Sequence, residues 1–208
     1  MKEIILNHPL VEHKISILRR KDTSTKEFRE LISELAMFLC FEALKDAELK
    51  DIKIETPIAE TTGHIIDENN YAFVPILRAG MGMVDGVLQV MPNAKIGHIG
   101  LYRNEKTLEP VEYYCKLPKN IENKTVIILD PMLATGGSGS AAIEMLKKRG
   151  VKHIKFLSII AAPEGLEKIQ NDHPDVEIYS AYKDSHLNDI GYIVPGLGDA
   201  GDRIFGTK

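Results

Sequence analysis

Cysteine is scarce: only Cys40 and Cys115 occur in 208 residues, and neither lies in a C-x-x-C or a Cys/His cluster. Two such thiols make neither a disulfide framework nor a structural zinc site. They read as reduced thiols of a cytoplasmic protein. Long apolar runs are also missing. None approaches the roughly 20 residues that span a bilayer. The apolar stretch in Met1 to Pro9 is too short for a secretory signal. Nor is there a basic surplus, since 26 Lys and Arg stand against 30 Asp and Glu, for a formal charge of −4. That balance speaks against a general nucleic-acid binder, although a local basic patch would escape the count. No internal repeat, low-complexity tract or linker breaks the chain, so residues 1–208 are expected to form a single domain.

What is there follows a readable order. Ser24-Thr25-Lys26-Glu27 has the capping-box pattern, and Phe28, Leu31, Ile32, Leu35 and Leu39 follow at helical spacing to about Asp46. Ile52 to Ile66 reads as extended, with Thr61-Thr62-Gly63 as a turn. Tyr71 to Leu77 is a strand that leads through Arg78-Ala79-Gly80 into a helix ending near Met91-Pro92. Lys95 to Arg103 reads as another strand. The charged, proline-punctuated stretch Asn104 to Lys119 suits a mobile excursion. Then strands and helices alternate: Thr125 to Leu129, a helix from Ser140 to Arg149 stopped by Gly150, His153 to Ala161, Glu164 to Asn171, and Val176 to Ala181. Alternation of this kind implies an α/β fold, a parallel sheet with helices on both faces. Gly191 to Lys208 is glycine-rich and follows no period.

The strongest local signal is Asp130-Pro131-Met132-Leu133-Ala134-Thr135-Gly136-Gly137-Ser138, where a buried strand ends in an acid and small residues open a helix. Ligands of open α/β sheets bind beyond the carboxyl ends of the strands. A helix N-terminus offers unpaired N–H donors and partial positive charge to a phosphate. Gly136 and Gly137 let the backbone approach phosphate oxygens, the Thr135 and Ser138 hydroxyls can donate to them, and Asp130 is placed to accept from sugar hydroxyls. Two other phosphate loops are absent. There is no G-x-x-x-x-G-K followed by Ser or Thr, and no G-x-G-x-x-G between a strand and a helix.

Asp130 to Ser138 resembles the phosphoribosyl-diphosphate motif of type I phosphoribosyltransferases, in the form found in uracil phosphoribosyltransferases. His8 to Val11, Pro75 to Gly80, Gly100 to Arg103 and Gly191 to Arg203 match that family in the same order, so the likeness spans nearly the whole chain. It departs from many type I members in one respect. Leu129 precedes Asp130 and Pro131 follows it, where those members carry two adjacent acids. The resemblance implies a type I phosphoribosyltransferase fold with a hood built from N- and C-terminal segments. It further implies transfer of 5-phosphoribosyl from phosphoribosyl diphosphate to uracil, with Mg²⁺ carried mainly by the substrate and no dedicated protein metal cage.

From position alone, Arg78 and Arg103 read as solvated arginines at strand ends. The resemblance assigns both to the diphosphate, gives Asp130 and Arg103 catalytic roles, and extends the phosphoribosyl-diphosphate site over Asp130 to Ser138 and Asp199. It places uracil on main-chain groups of Ile193, Gly198 and Ala200, beside Asp199, with Tyr192 lining the pocket. It also implies a homo-oligomer, with GTP as an activator in some members, and no membrane partner. Two alternatives stay open on the residues: a regulatory protein of this fold that binds RNA, and a transferase for purine or orotate. Orotate would call for an extra cation at the base, and Arg203 is the one near in sequence.

Overall fold

A computed structural model describes residues 2–103 and 110–207. The chain opens with β1 (Glu3–Ile5) and α1 (Pro9–Arg19), whose N-cap His8 accepts the Leu10 N–H at 3.1 Å. In α2 (Thr25–Ala43) the expected cap is present, with Ser24 Oγ accepting the Glu27 N–H at 3.2 Å. Phe28, Leu31, Ile32, Leu35 and Leu39 are all buried on its inner face. The helix stops three residues short of Asp46, and the Lys155 ammonium takes up its last carbonyl, that of Ala43, at 2.7 Å.

A hairpin follows, β2 (Leu49–Glu55) and β3 (Glu60–Ile66). The turn expected at Thr61-Thr62-Gly63 is not there. Those residues lie inside β3, with Thr62 opposite Lys53, and the β-branched threonines suit a strand. The reversal comes at Thr56 to Ala59, where Thr56 Oγ1 accepts the N–H groups of Ile58 (3.2 Å) and Ala59 (3.0 Å).

β4 (Tyr71–Leu77) leads into a 3-10 turn, Ala79–Met83, and α3 (Val84–Val90). The strand expected over Lys95 to Arg103 is split at Gly97 into β5 (Lys95–Ile96) and β6 (His98–Arg103). The expected excursion is a strand in its described part, β7 (Pro110–Lys116), antiparallel to β6; Asn104 to Glu109 lie outside the described residues. Then come β8 (Thr125–Leu129), β9 (Met132–Leu133), α4 (Gly137–Lys148), β10 (His153–Ala161), α5 (Pro163–Asp172) and β11 (Glu177–Lys183). The chain closes with β12 (His186–Leu187), β13 (Ile193–Val194) and α6 (Ala200–Phe205). The tail therefore ends in a helix, where no period had been legible.

The main sheet runs β1-β11-β10-β8-β4-β6-β7, parallel except for the β6–β7 pair. Side chains alternate between its faces. Ile127 and Leu129 of β8 and Phe73 of β4 join the core formed with α1, α2, α3 and α6. Val126, Ile128, Ala72 and Val74 join the opposite core with α4 and α5. Both faces are covered, as the alternation of elements predicts. No described helix is long and apolar enough to cross a membrane.

Candidate active site

β4 and β8 are neighbours, with Pro75 opposite Leu129, so Arg78 and Asp130 emerge side by side at the carboxyl edge. The connection after β4 runs to β6 on one side, while that after β8 runs to β10 on the other. The crevice between two such diverging connections is where an open α/β sheet takes its ligand. Gly80 lets the β4 loop close onto this edge. A Cβ there would sit 2.3 Å from the Leu129 carbonyl oxygen and 3.1 Å from Pro75 Cα, so no side chain fits. The Arg78 side chain is 60 % exposed to the crevice, 3.6 Å from Asp202 and over the Phe205 ring at 5.8 Å. Arg103 ends β6, the strand beyond β4, and its side chain lies outside the described residues.

Asp130 is anchored by its N–H, which donates to the Leu157 carbonyl at 3.1 Å. The residue is only partly covered by the protein. Burial nevertheless pushes its carboxyl up to about 7, against the pull of the Met132 N–H. Pro131 and Leu133 are buried and fix the loop by their carbonyls, which accept from Ile160 (3.1 Å) and Ala162 (2.9 Å). The loop rests on α5, since a Cβ on Gly165 would meet the Ala134 oxygen at 2.3 Å. Gly136 turns into α4 with φ +77° and its carbonyl accepts the Ser140 N–H at 2.8 Å. So α4 begins at Gly137, three residues before the expected Ser140, which brings its N-terminal N–H groups into the loop itself. Thr135 and Ser138 are exposed there, and a Cβ on Gly137 would meet nothing nearer than Thr135 Oγ1 at 3.7 Å.

The tail meets both loops. A Cβ on Gly191 would lie 3.8 Å from Thr135 Cγ2, and one on Gly201 would lie 3.8 Å from Ala79 Cβ. Between them opens a cleft of about 300 Å³, lined by Arg78, Met132, Tyr192, Gly198, Asp199 and Ala200 among others. Asp199 caps α6, its Oδ1 accepting the Asp202 N–H at 2.9 Å. An acid at the cap, with Gly206 at φ +67° closing the far end, was the signal for this helix. The Ile193 side chain is buried in the core and its strand pairs with Leu187, so any contact it makes at the cleft falls to its main chain.

Several supporting residues gave no local signal in the sequence. Arg203 donates to the carbonyls of Leu18 (2.9 Å), Leu197 (2.7 Å) and Arg20 (2.6 Å), and stacks on Phe28 at 4.3 Å. Its fork ties the tail to the end of α1, a hood of N- and C-terminal parts, and is committed to main chain rather than to a carboxylate ligand. Asn188 brackets Tyr192, accepting its N–H on Oδ1 and donating its own N–H to its carbonyl, both at 2.9 Å. Arg19 and the fully buried carboxylate of Asp184 form a forked pair that also grips Gly196. Among the described residues, no group of three or more His, Cys, Asp and Glu is arranged to hold a metal.

A sequence profile of the uracil phosphoribosyltransferase family matches residues 5–207. A uracil phosphoribosyltransferase of Finegoldia magna is 58 % identical over 207 residues, covering 100 % of this chain and 99 % of that protein. A solved structure of a protein from Aquifex aeolicus is 46 % identical with a TM-score of 0.92, covering 99 % of both chains. Adenine phosphoribosyltransferase of Trypanosoma brucei shares the fold at 12 % identity, with a TM-score of 0.61 over 95 % of this chain and 88 % of that one.

Proposed function

The chain belongs to the uracil phosphoribosyltransferase family, and we propose that it joins uracil to C1 of the ribose of phosphoribosyl diphosphate, releasing diphosphate and giving uridine monophosphate. The observation that carries the reading is the convergence at one crevice of three segments: Arg78 after β4, Asp130 and its loop after β8, and the Tyr192–Gly201 wall.

Each segment has a task in that reaction. The N–H groups opening α4, with the Thr135 and Ser138 hydroxyls, suit the 5-phosphate. Asp130 accepts from the ribose hydroxyls and so orients C1. Arg78, with Arg103 from the adjacent strand, meets the diphosphate, where negative charge grows as the C1–oxygen bond breaks. Main-chain groups of Ile193, Gly198 and Ala200 read the planar base, beside Asp199, and Tyr192 borders it. Holding base and sugar in line is itself a large part of the acceleration.

Mg²⁺ fits the donor set here. Asp130 and Asp199 offer hard oxygens but no cage, so most ligands would come from the diphosphate. Bound there, Mg²⁺ would neutralise leaving-group charge. Residues 1–208 act as one domain in this reading. A cytoplasmic homo-oligomer and activation by GTP belong to the same proposal, tested by sedimentation and by assay with and without GTP.

The deciding experiment supplies uracil, phosphoribosyl diphosphate and Mg²⁺ and follows uridine monophosphate, with cytosine, orotate, hypoxanthine and adenine as parallel acceptors. Product from uracil alone is expected. Product from another base, or from none with GTP present, would overturn the reading.

A further inference from the structure

We infer that Arg19 and Asp184 are positioning residues for base recognition, setting the main-chain shape of residues 193–198 without touching the substrate. The inference rests on the uracil pocket proposed above.

The two side chains come from distant elements, the last residue of α1 and the residue after β11. Asp184 is held at the carboxyl edge by its own N–H, which donates to the Ala161 carbonyl at 2.8 Å. Its side chain is fully buried, and Arg19 forks it: Nη1 reaches Oδ2 at 2.8 Å and Nη2 meets Oδ1. Arg19 is steadied from the other side by the Tyr182 ring, 4.8 Å away.

What the pair holds is one residue, Gly196, at both of its main-chain groups. Its N–H donates to Asp184 Oδ2 at 3.1 Å, and its carbonyl accepts from Arg19 Nη1 at 2.7 Å. Gly196 has φ +65°, and a Cβ there would sit 2.1 Å from the Ile193 oxygen, so this turn admits only glycine. The next carbonyl, of Leu197, is taken by Arg203 at 2.7 Å, and after it the chain reaches Gly198, Asp199 and Ala200 at the cleft. The groups that would read uracil are peptide groups. A main-chain recognition surface keeps its geometry only if the turn feeding it is fixed, and here charged groups fix it.

A merely structural pair would lower stability without favouring one substrate. Lys155 with Asp46 supplies that comparison, a charge pair at the opposite edge of the sheet. The test measures KM for uracil, and the dissociation constant of phosphoribosyl diphosphate without uracil, in wild type, Arg19→Lys, Asp184→Asn and Asp46→Asn. In Arg19→Lys and Asp184→Asn the uracil KM should rise roughly 10- to 100-fold, while the phosphoribosyl-diphosphate constant stays within about twofold. Asp46→Asn should leave both unchanged. Should Asp184→Asn fail to fold, Arg19→Lys carries the test, since it keeps the charge facing Asp184 and loses only the fork. A uracil KM unchanged, or raised only in step with the other constant, overturns the inference and leaves the proposed reaction standing. A wild-type protein that makes no uridine monophosphate overturns both.

Discussion

Buried charge is held in opposite ways at the amino edge of the sheet and at Asp130. At the amino edge, Lys155 donates to the Ala43 carbonyl (2.7 Å) and to Asp46 (2.5 Å), while Glu177 accepts from the Tyr179 hydroxyl (2.6 Å) beside Lys2. Burial works to raise the Asp46 and Glu177 carboxyls, yet their partners hold both below the usual carboxylate range. At the carboxyl edge, burial raises Asp130 to about 7 with only the Met132 N–H in opposition. Among the described residues no cation is paired with Asp130. At the amino edge charge is compensated internally, as it is where Arg19 meets Asp184. Where a ligand arrives, an acid is left short of partners, which costs stability and is a mark of functional sites.

The sharpest test of that contrast is Asp130→Asn. Turnover should fall about 10²- to 10³-fold, the usual loss of a group aimed at the reacting sugar. Stability should move the other way. A carboxyl raised from 3.8 in the unfolded chain to about 7 in the fold costs nothing below the lower value. It destabilises increasingly as pH climbs between the two. The amide removes that loss, so thermal unfolding at pH 8 should show a gain of about 1–3 kcal/mol that vanishes near pH 4. Normal turnover in the folded variant would take Asp130 out of the reaction.

Arg78→Ala should come next. Loss of a charge-assisted contact of about 1.5–3 kcal/mol would weaken phosphoribosyl-diphosphate binding roughly 10- to 100-fold. Stability should hardly change, because the side chain is 60 % exposed and its ion contact is a long 3.6 Å. Equilibrium binding that matches wild type would remove Arg78 from the site. Lys155→Met is the mirror experiment at the amino edge. It should cost about 2 kcal/mol in denaturant unfolding, less than a fully buried pair because Asp46 is half exposed. Turnover should stay intact. A large loss of turnover there would break the contrast between the edges.

The same division explains what could be read in advance. The phosphate loop is continuous, and strand, acid, glycines and helix follow one another within a dozen residues, so local rules reach it. Even so, α4 begins at Gly137 rather than Ser140, because the loop glycine Gly136 itself serves as the cap. The base wall is built differently. Arg19, Asp184 and Arg203 act on carbonyls and N–H groups far away in sequence, and nothing near them in the chain announces it. The family likeness named Tyr192, Ile193 and residues 198–200, but neither Arg19 nor Asp184. Asp199 with Asp202 did carry a capping signal for α6, hidden in a stretch that glycine made look irregular. The threonines of β3 misled for the opposite reason, since glycine beside them suggested a turn where strand pairing prevailed.

The smallest expected effect isolates the carboxyl edge in the unaltered protein. Ribose hydroxyls donate most strongly to Asp130 when it is ionised, so binding of phosphoribosyl diphosphate should favour loss of a proton wherever the free protein holds one. With a carboxyl near 7, that is the range below neutrality. Affinity should therefore rise with pH, by about tenfold between pH 6 and pH 8, and level off above. Phosphates of the ligand also titrate near pH 6, which steepens the same trend. Asp130→Asn separates the two sources, because only the contribution of the ligand persists in it. A pH dependence identical in both proteins would mean that Asp130 is already ionised in the free crevice. Asp130 and the amino edge would then not differ in the way their charges are held.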